Sequence, residues 1–471
     1  MIIGRSRGLF CIVAIFVFAL LLAVPAARAS YLDDVGYTQL VAELGAGVPT
    51  GAGITISQVE ALDSSGYYTP NTAILAFSGK VFTPKFDVYS NHATTVGTYL
   101  YGNSGMGKGV TAINNWEANN WLQSGFLKTG TTSAPVVETQ RVQNSSWVGS
   151  FGVGKEAYDI DALRRFDYTI NRDNYVAVVG LNNGSGTTVP SLLASSYNAI
   201  VVGVSSGNHS RGGTRVETAG RVKPDIVAPA AYTSYATPIV GAAATMLLQT
   251  ADNTPALANA RNSEAVKAIL MAGATKEEFA NWSRTTTRPL DAVYGAGELN
   301  VYNSYHILTA GEQEASTVSD VQKNGWDFSS TPVTSQMKYY FFDVAAGTAL
   351  SDLSIILTWN RVIADTINGS SWGDPSSTLA NLNLWLYSAD GYSLGSLLDS
   401  SQSTVDNVEH IYETNLAAGR YAIAVNSNTA ATDFALAWRS TLITIDIPEP
   451  CTLVLLVVGG AVLARRRRMA A

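Results

Sequence analysis

Near residue 310 the spacing of apolar residues changes from one regime to another, and no other feature constrains the fold of this 471-residue chain as much. Before that point, short apolar runs at 54–59, 175–179 and 199–204 alternate with small-residue stretches at 93–100, 237–249 and 263–271. The runs at 175–179 and 199–204 are nearly continuous in apolar residues, as strands covered on both faces are, and the stretches carry helical spacing. Strands alternating with helices predict an α/β domain on a mainly parallel sheet. After residue 310 the period falls to two, in runs at 338–344, 353–359, 382–386, 421–425 and 434–438 separated by turns rich in Gly, Asn, Asp and Ser. No helical segment interrupts them, so the second part is expected to be an antiparallel β-sandwich of jelly-roll type. The expected boundaries are 30–310 for the α/β domain, 311–324 for a polar linker and 325–441 for the sandwich.

Both ends carry segments of another kind. Arg5 and Arg7 precede an apolar run at 9–24 that closes on Ala27-Arg28-Ala29, the layout of a secretory signal (1–29) with cleavage before Ser30. At the far end Pro448-Glu449-Pro450 leads into 13 uncharged residues, 452–464, and then Arg465 to Arg468. That stretch is short of the roughly 20 residues a spanning helix needs. The order of Pro-Glu-Pro, apolar segment and arginine cluster in 447–471 resembles the PEP-CTERM sorting signal of Gram-negative bacteria, with Cys451 where serine is usual. The resemblance implies an exosortase as processing partner, an exported or surface-associated body, and a transient membrane association through the tail.

Setting both ends aside sharpens the charge. The chain has 30 Lys and Arg against 37 Asp and Glu, net -7, but seven of the arginines lie in the end segments, leaving 23 basic and 36 acidic residues in 30–447. So acidic a body argues against nucleic acid as a partner. The two cysteines, Cys11 and Cys451, also lie in the end segments, which excludes a thiol nucleophile, a thiolate metal site and a disulfide framework from the body.

Four histidines occur: His92, His209, His306 and His410. His92-Ala93-Thr94-Thr95-Val96-Gly97 sets an imidazole at the mouth of a helix, and Thr233-Ser234-Tyr235-Ala236-Thr237-Pro238 sets a hydroxyl just ahead of another. Pro238 is expected in the first turn of that second helix, which puts Ser234 beside its N-terminus. Unpaired amides and the positive dipole end there favour the negative charge that develops in acyl transfer.

On these blocks the chain resembles the subtilisin-like serine proteases, peptidase family S8. The family's His-Gly-Thr-x-Val-Ala-Gly block is matched at 92–97 apart from Ala93 and one missing alanine, and Gly-Thr-Ser-x-Ala-x-Pro-x-Val is matched at 232–240 apart from Tyr232. The stretches 220–229 and 294–300 match the approach to the nucleophile and the close of the family's domain. The resemblance implies a relay of Glu60, His92 and Ser234, with Glu60 ending the opening strand where the family has aspartate, and Asp63 as the alternative acid. It implies an oxyanion hole from the Ser234 backbone N–H and the Asn182 side chain, with Asn183 as alternative. It also implies an edge, Ser146-Trp147-Val148-Gly149, that pairs with an extended peptide or protein substrate, Trp147 being either pocket wall or packing. The expected activity is hydrolysis of peptide bonds through an acyl-enzyme. No cofactor is implied, and calcium, common in the family, has no assignable site in this chain.

Three departures stand beside these matches. Only Ala230 to Thr233 separate Pro229 from Ser234, Tyr232 replaces the motif glycine, and 30–49 is too short for the family's inhibitory prodomain. They keep a second function open: a surface or matrix adhesion protein on an inert protease fold, whose sandwich binds glycan or protein. His209, His306 and His410 are read as surface or packing residues.

Overall fold

The computed structural model describes residues 30–329, 337–365, 372–373, 375–429 and 432–445. The expected signal (1–29) and sorting tail (447–471) lie outside the described residues. Two short helices come first, α1 (Tyr31–Asp34) and α2 (Tyr37–Leu44), and Ser30 and Asp33 close α1 with a reciprocal capping box. Then follow β1 (Thr55–Glu60), β2 (Val81–Thr83), α3 (Asn91–Tyr101), β3 (Ala112–Glu117), α4 (Ala118–Asn120), β4 (Val142–Ser145), α5 (Glu156–Asp173), β5 (Val176–Gly180) and β6 (Ile200–Val204). A small pair, β7 (Gly212–Gly213) and β8 (Val222–Lys223), precedes β9 (Ile226–Ala228), and α6 (Thr233–Asn253), α7 (Ser263–Gly273) and α8 (Val301–Thr309) complete the domain.

Among the described residues seven strands form one sheet in the order β2-β3-β1-β4-β5-β6-β9, and every neighbouring pair is parallel. Side chains alternate across it, so Val178 and Val202 join an apolar core with α3, α6 and α7, while Ala177, Val179 and Val201 join a second with α5. That is why β5 and β6 read as continuous apolar runs. Small residues let α6 lie close on the sheet: a Cβ at Gly241 would come within 2.9 Å of Leu100 and 3.2 Å of Val178.

One helix start differs from expectation. α6 begins at Thr233, so Ser234 is its second residue and Pro238 lies beyond the first turn, inside the helix. Proline has no N–H to give the carbonyl four residues back, here that of Ser234, and the helix tolerates the loss at its open end. The N–H of Ser234 likewise has no acceptor within the helix, because it belongs to the first turn.

The second part comprises β10 (Gly325–Ser329), β11 (Lys338–Val344), β12 (Thr348–Thr358), a short pair β13 (Val362–Ala364) and β14 (Ser376–Thr378), β15 (Leu382–Asp390), β16 (Ser393–Ser401), β17 (Val408–Leu416), β18 (Gly419–Ser427) and β19 (Phe434–Thr444). Two antiparallel sheets, β10-β19-β12-β17 and β11-β18-β15-β16, enclose a core that includes Trp359, Leu384, Ile423 and Trp438. The architecture is α/β with a parallel sheet followed by an antiparallel sandwich. The sandwich does not stand apart. Ile356, Val408, Ala435 and Ala437, on the outer face of the first sheet, join the apolar core of α7 and α8, and the Trp326 indole donates to the Leu308 carbonyl at 3.0 Å.

Candidate active site

The site lies where the chain order of the sheet reverses. From β1 the chain passes to β2 and β3 on one side; from β4 it passes to β5, β6 and β9 on the other. The carboxyl ends of these adjacent strands therefore border a crevice, the usual place for a site in an open α/β sheet.

Glu60 ends β1 with its carboxylate buried, 1 % exposed, and Oε2 accepts the Nδ1–H of His92 at 2.8 Å. Gln58, two residues back on the same strand face, donates from Nε2 to Glu60 Oε1 at 3.0 Å and to the Ala93 carbonyl at 2.9 Å. Its own Oε1 accepts from the Tyr101 hydroxyl at 2.6 Å. Burial, and then the charge of Glu60, hold the Tyr101 phenol well above its usual value, so it stays a donor. The carboxylate is thus oriented by a chain of side chains from β1 and α3. Gln58 and Tyr101 were not picked out from the sequence, although a glutamine two residues before Glu60, on the same face of its strand, was a signal.

His92 lies in the first turn of α3, whose N-cap is Ser90. The hydrogen bond to Glu60 raises the imidazole above its ordinary value, against the downward pull of burial. It also commits the ring proton to Nδ1, leaving Nε2 as the acceptor in the neutral form. Asp63, the alternative acid, is placed otherwise: its Oδ1 accepts the backbone N–H groups of Ser65 at 2.9 Å and Tyr67 at 3.0 Å, an exposed turn device.

Ser234 and Thr233 line a cavity of about 130 Å³ together with His92, with 146–148 beyond β4 and with 180–183 beyond β5. Among the described residues no hydrogen bond joins the Ser234 hydroxyl to His92, and such contacts commonly tighten only with substrate bound. Trp147, 9 % exposed, is both cavity wall and part of the second core. Gly149 lies outside the lining; its N–H and C=O exchange hydrogen bonds with Leu192 at 3.3 and 3.0 Å, so the free edge is limited to Ser146, Trp147 and Val148. Both candidate asparagines line the cavity. Asn182 is held by its backbone N–H to the Ser210 hydroxyl at 3.1 Å. Asn183 is held by its side chain: Oδ1 accepts the backbone N–H of Thr233 at 3.0 Å, one residue from Ser234.

The other histidines lie elsewhere. His209 is buried between the Val204 N–H and the Val293 carbonyl, His306 pairs with Glu43 at 3.1 Å, and His410 is buried against Trp282. No group of three or more His, Cys, Asp or Glu among the described residues is arranged to hold a metal ion.

No protein-family model matches the sequence, and no curated protein matches it either. Solved structures do show likeness. Fervidolysin from Fervidobacterium pennivorans, a keratinolytic enzyme related to subtilisin, aligns at TM-score 0.39 and 12 % identity over 82 % of this chain and 61 % of its own. The MycP3 protease of the type VII (ESX-3) secretion system aligns at 0.36 and 13 % over 59 % of this chain and 89 % of its own. A protease from Pseudoalteromonas arctica aligns at 0.35 and 13 %, over 59 % and 97 %. At such scores these are likenesses only, and the chemistry of the crevice stands on its own residues.

Proposed function

We propose that this protein is a serine endopeptidase that cleaves peptide bonds through an acyl-enzyme. The observation that supports it is the buried carboxylate of Glu60, 2.8 Å from the Nδ1 of an imidazole that shares a cavity with a serine at a helix N-terminus. In this reading His92 Nε2 takes the proton of Ser234 Oγ as Oγ bonds to the scissile carbonyl carbon. The carbonyl electron pair moves onto oxygen, where the Ser234 N–H and an asparagine amide stabilise it. Collapse of this species re-forms the carbonyl and breaks the C–N bond, and the imidazolium gives its proton to the departing amine. Water then bonds to the acyl carbon as its proton passes to His92, and Ser234 leaves with that proton restored. The Glu60 side chain orients and stabilises the imidazolium.

Asn183, whose side-chain carbonyl is fixed on Thr233, the neighbour of Ser234, is assigned the donor role over Asn182. The substrate is an extended peptide paired with the backbone of 146–148. Export and removal of the tail by an exosortase belong to the same proposal and rest on the sequence; glycan or matrix binding by the sandwich belongs to the adhesive alternative.

Labelling the folded protein with a fluorophosphonate, followed by peptide mapping, tests the reading. The adduct is expected on Ser234 and is expected to vanish in His92→Ala. A folded sample that takes no label, or takes it on another serine, overturns the assignment and favours the inert, adhesive alternative.

A further inference from the structure

Tyr232, 52 % exposed, stands immediately before Thr233-Ser234. It is the N-cap residue of α6 but makes no side-chain cap hydrogen bond, a role for which Ser, Thr, Asn or Asp is preferred, so the helix does not account for it. Its ring meets Tyr235 edge to face at 5.6 Å. Tyr235 lies 6.0 Å from the His92 ring and stacks on Tyr99 at 5.8 Å, and Tyr99 meets Tyr31 at 5.2 Å. Four tyrosines thus form a continuous row that begins at the nucleophile and flanks the imidazole.

Position gives the row a chemical meaning. The cavity bounded by 146–148 and 180–183 holds the oxyanion donors, so it takes the acyl half of a substrate, and the rings of the row are not part of its lining. The departing amine must lie beside His92, from which it receives its proton. The residue that follows the scissile bond is therefore delivered to the flank where Tyr235 and Tyr232 lie. Tyr235 is held between Tyr99 and Tyr232, whereas Tyr232 keeps an open aromatic surface at the end of the row.

Resting on the serine-endopeptidase reading, we propose that Tyr232 and Tyr235 form the wall that receives the side chain immediately after the scissile bond, and that this wall selects an aromatic side chain there. An incoming ring extends the edge-to-face row, and such ring pairs are worth roughly two- to tenfold in an equilibrium or rate beyond simple area burial.

The test uses the full chain and peptides identical up to the scissile bond, followed by Phe or Ala. The kcat/KM ratio of Phe to Ala peptides is expected to be roughly tenfold in the wild type, to persist in Tyr232→Phe, and to fall toward one in Tyr232→Ala. Because the ratio is taken within each variant, a change in folded fraction cancels. A flat ratio in the wild type, or an undiminished ratio in Tyr232→Ala, overturns the inference. Fluorophosphonate labelling separates this failure from that of the underlying reading, since the reagent carries no residue beyond the reacting centre. Labelled Ser234 with a flat ratio removes the aromatic wall alone; an unlabelled, inactive folded protein removes both.

Discussion

Glu60 and Asp167 are both buried carboxylates of the α/β domain, and each faces a nitrogen base, yet their surroundings are opposite. Asp167 accepts from the Ser196 hydroxyl at 2.5 Å, from the Tyr197 and Asn198 backbone N–H groups at 3.3 and 3.1 Å, and from Arg361, a sandwich residue 2 % exposed that also pairs with Glu217. Every partner there is occupied, and arginine does not titrate. Glu60 faces a histidine whose side chain is 39 % exposed and whose second nitrogen is left for another partner. His410 makes the same point from the interface side: burial, and then the charges of Lys276 and Arg284, push it well below the ordinary imidazole value, so it stays neutral. The closed region locks two layers together, whereas the open one leaves an imidazole nitrogen accessible to another partner.

The largest way to break this contrast is to remove the relay. His92→Ala and Glu60→Gln are each expected to lower turnover by about 10³-fold or more on a casein-type substrate while leaving the unfolding midpoint nearly unchanged. Asp63→Asn, which alters only a turn, is expected to leave turnover within about twofold, as surface changes away from a site usually do. Wild-type turnover in Glu60→Gln would remove Glu60 from the relay. At the interface the expected sign is reversed. Arg361→Ala removes the buried cation of Asp167 and one of the two cations of Glu217, which keeps Arg164, and should cost about 3–5 kcal/mol in urea unfolding, with kcat of the folded fraction retained. A chain ended after Ala310 bares the apolar face of α7 and α8 and is expected not to stay folded. A soluble fragment with full turnover on a short peptide would show that the α/β domain folds without the sandwich.

What the sequence revealed follows the same division. His92, Ser234 and Glu60 were singled out through the resemblance, whose motif blocks are short and local in sequence: a helix mouth, a helix start, a strand end. The start of α6 was read late because Pro238 was taken to need the first turn, whereas only the Ser234 carbonyl loses a partner. The interface was not legible, because Arg361 and Asp167 are 194 residues apart and nothing local pairs them. Period two in β12 and β19 implied one buried face; α7 covers the other. β17 was absent from the period-two runs because Glu409 and His410 are polar, yet both are buried.

A narrower test concerns the two asparagines. Loss of an oxyanion donor is expected to cost about 3 kcal/mol at the transition state, roughly a hundredfold in kcat. The larger loss is expected in Asn183→Ala, because its amide is anchored on Thr233. That variant also removes a helix-capping acceptor worth about 1 kcal/mol, which unfolding measurements separate from the kinetic effect. A larger kinetic loss in Asn182→Ala would return the role to Asn182.

The smallest effect expected is a shift in pH profile, and its sign discriminates. Acylation needs neutral His92, and the Glu60 hydrogen bond holds the imidazole above its ordinary value of about 6.5. The acid limb of kcat/KM is therefore expected above that value, with activity rising as pH increases through it. In Glu60→Gln the charged acceptor is gone and burial acts alone, so the residual activity should show its limb displaced to lower pH. The linked stability runs the other way. A group whose pKa is raised on folding contributes stability that is complete below its unfolded value and is lost as pH rises through the folded one. Through His92 the Glu60 pair thus stabilises the fold most in the acid range, where the imidazole is charged, and least where it is neutral. Solvent reaches the ring, so both displacements should be modest. An acid limb at the same pH in Glu60→Gln and wild type would mean that Glu60 does not set the basicity of His92.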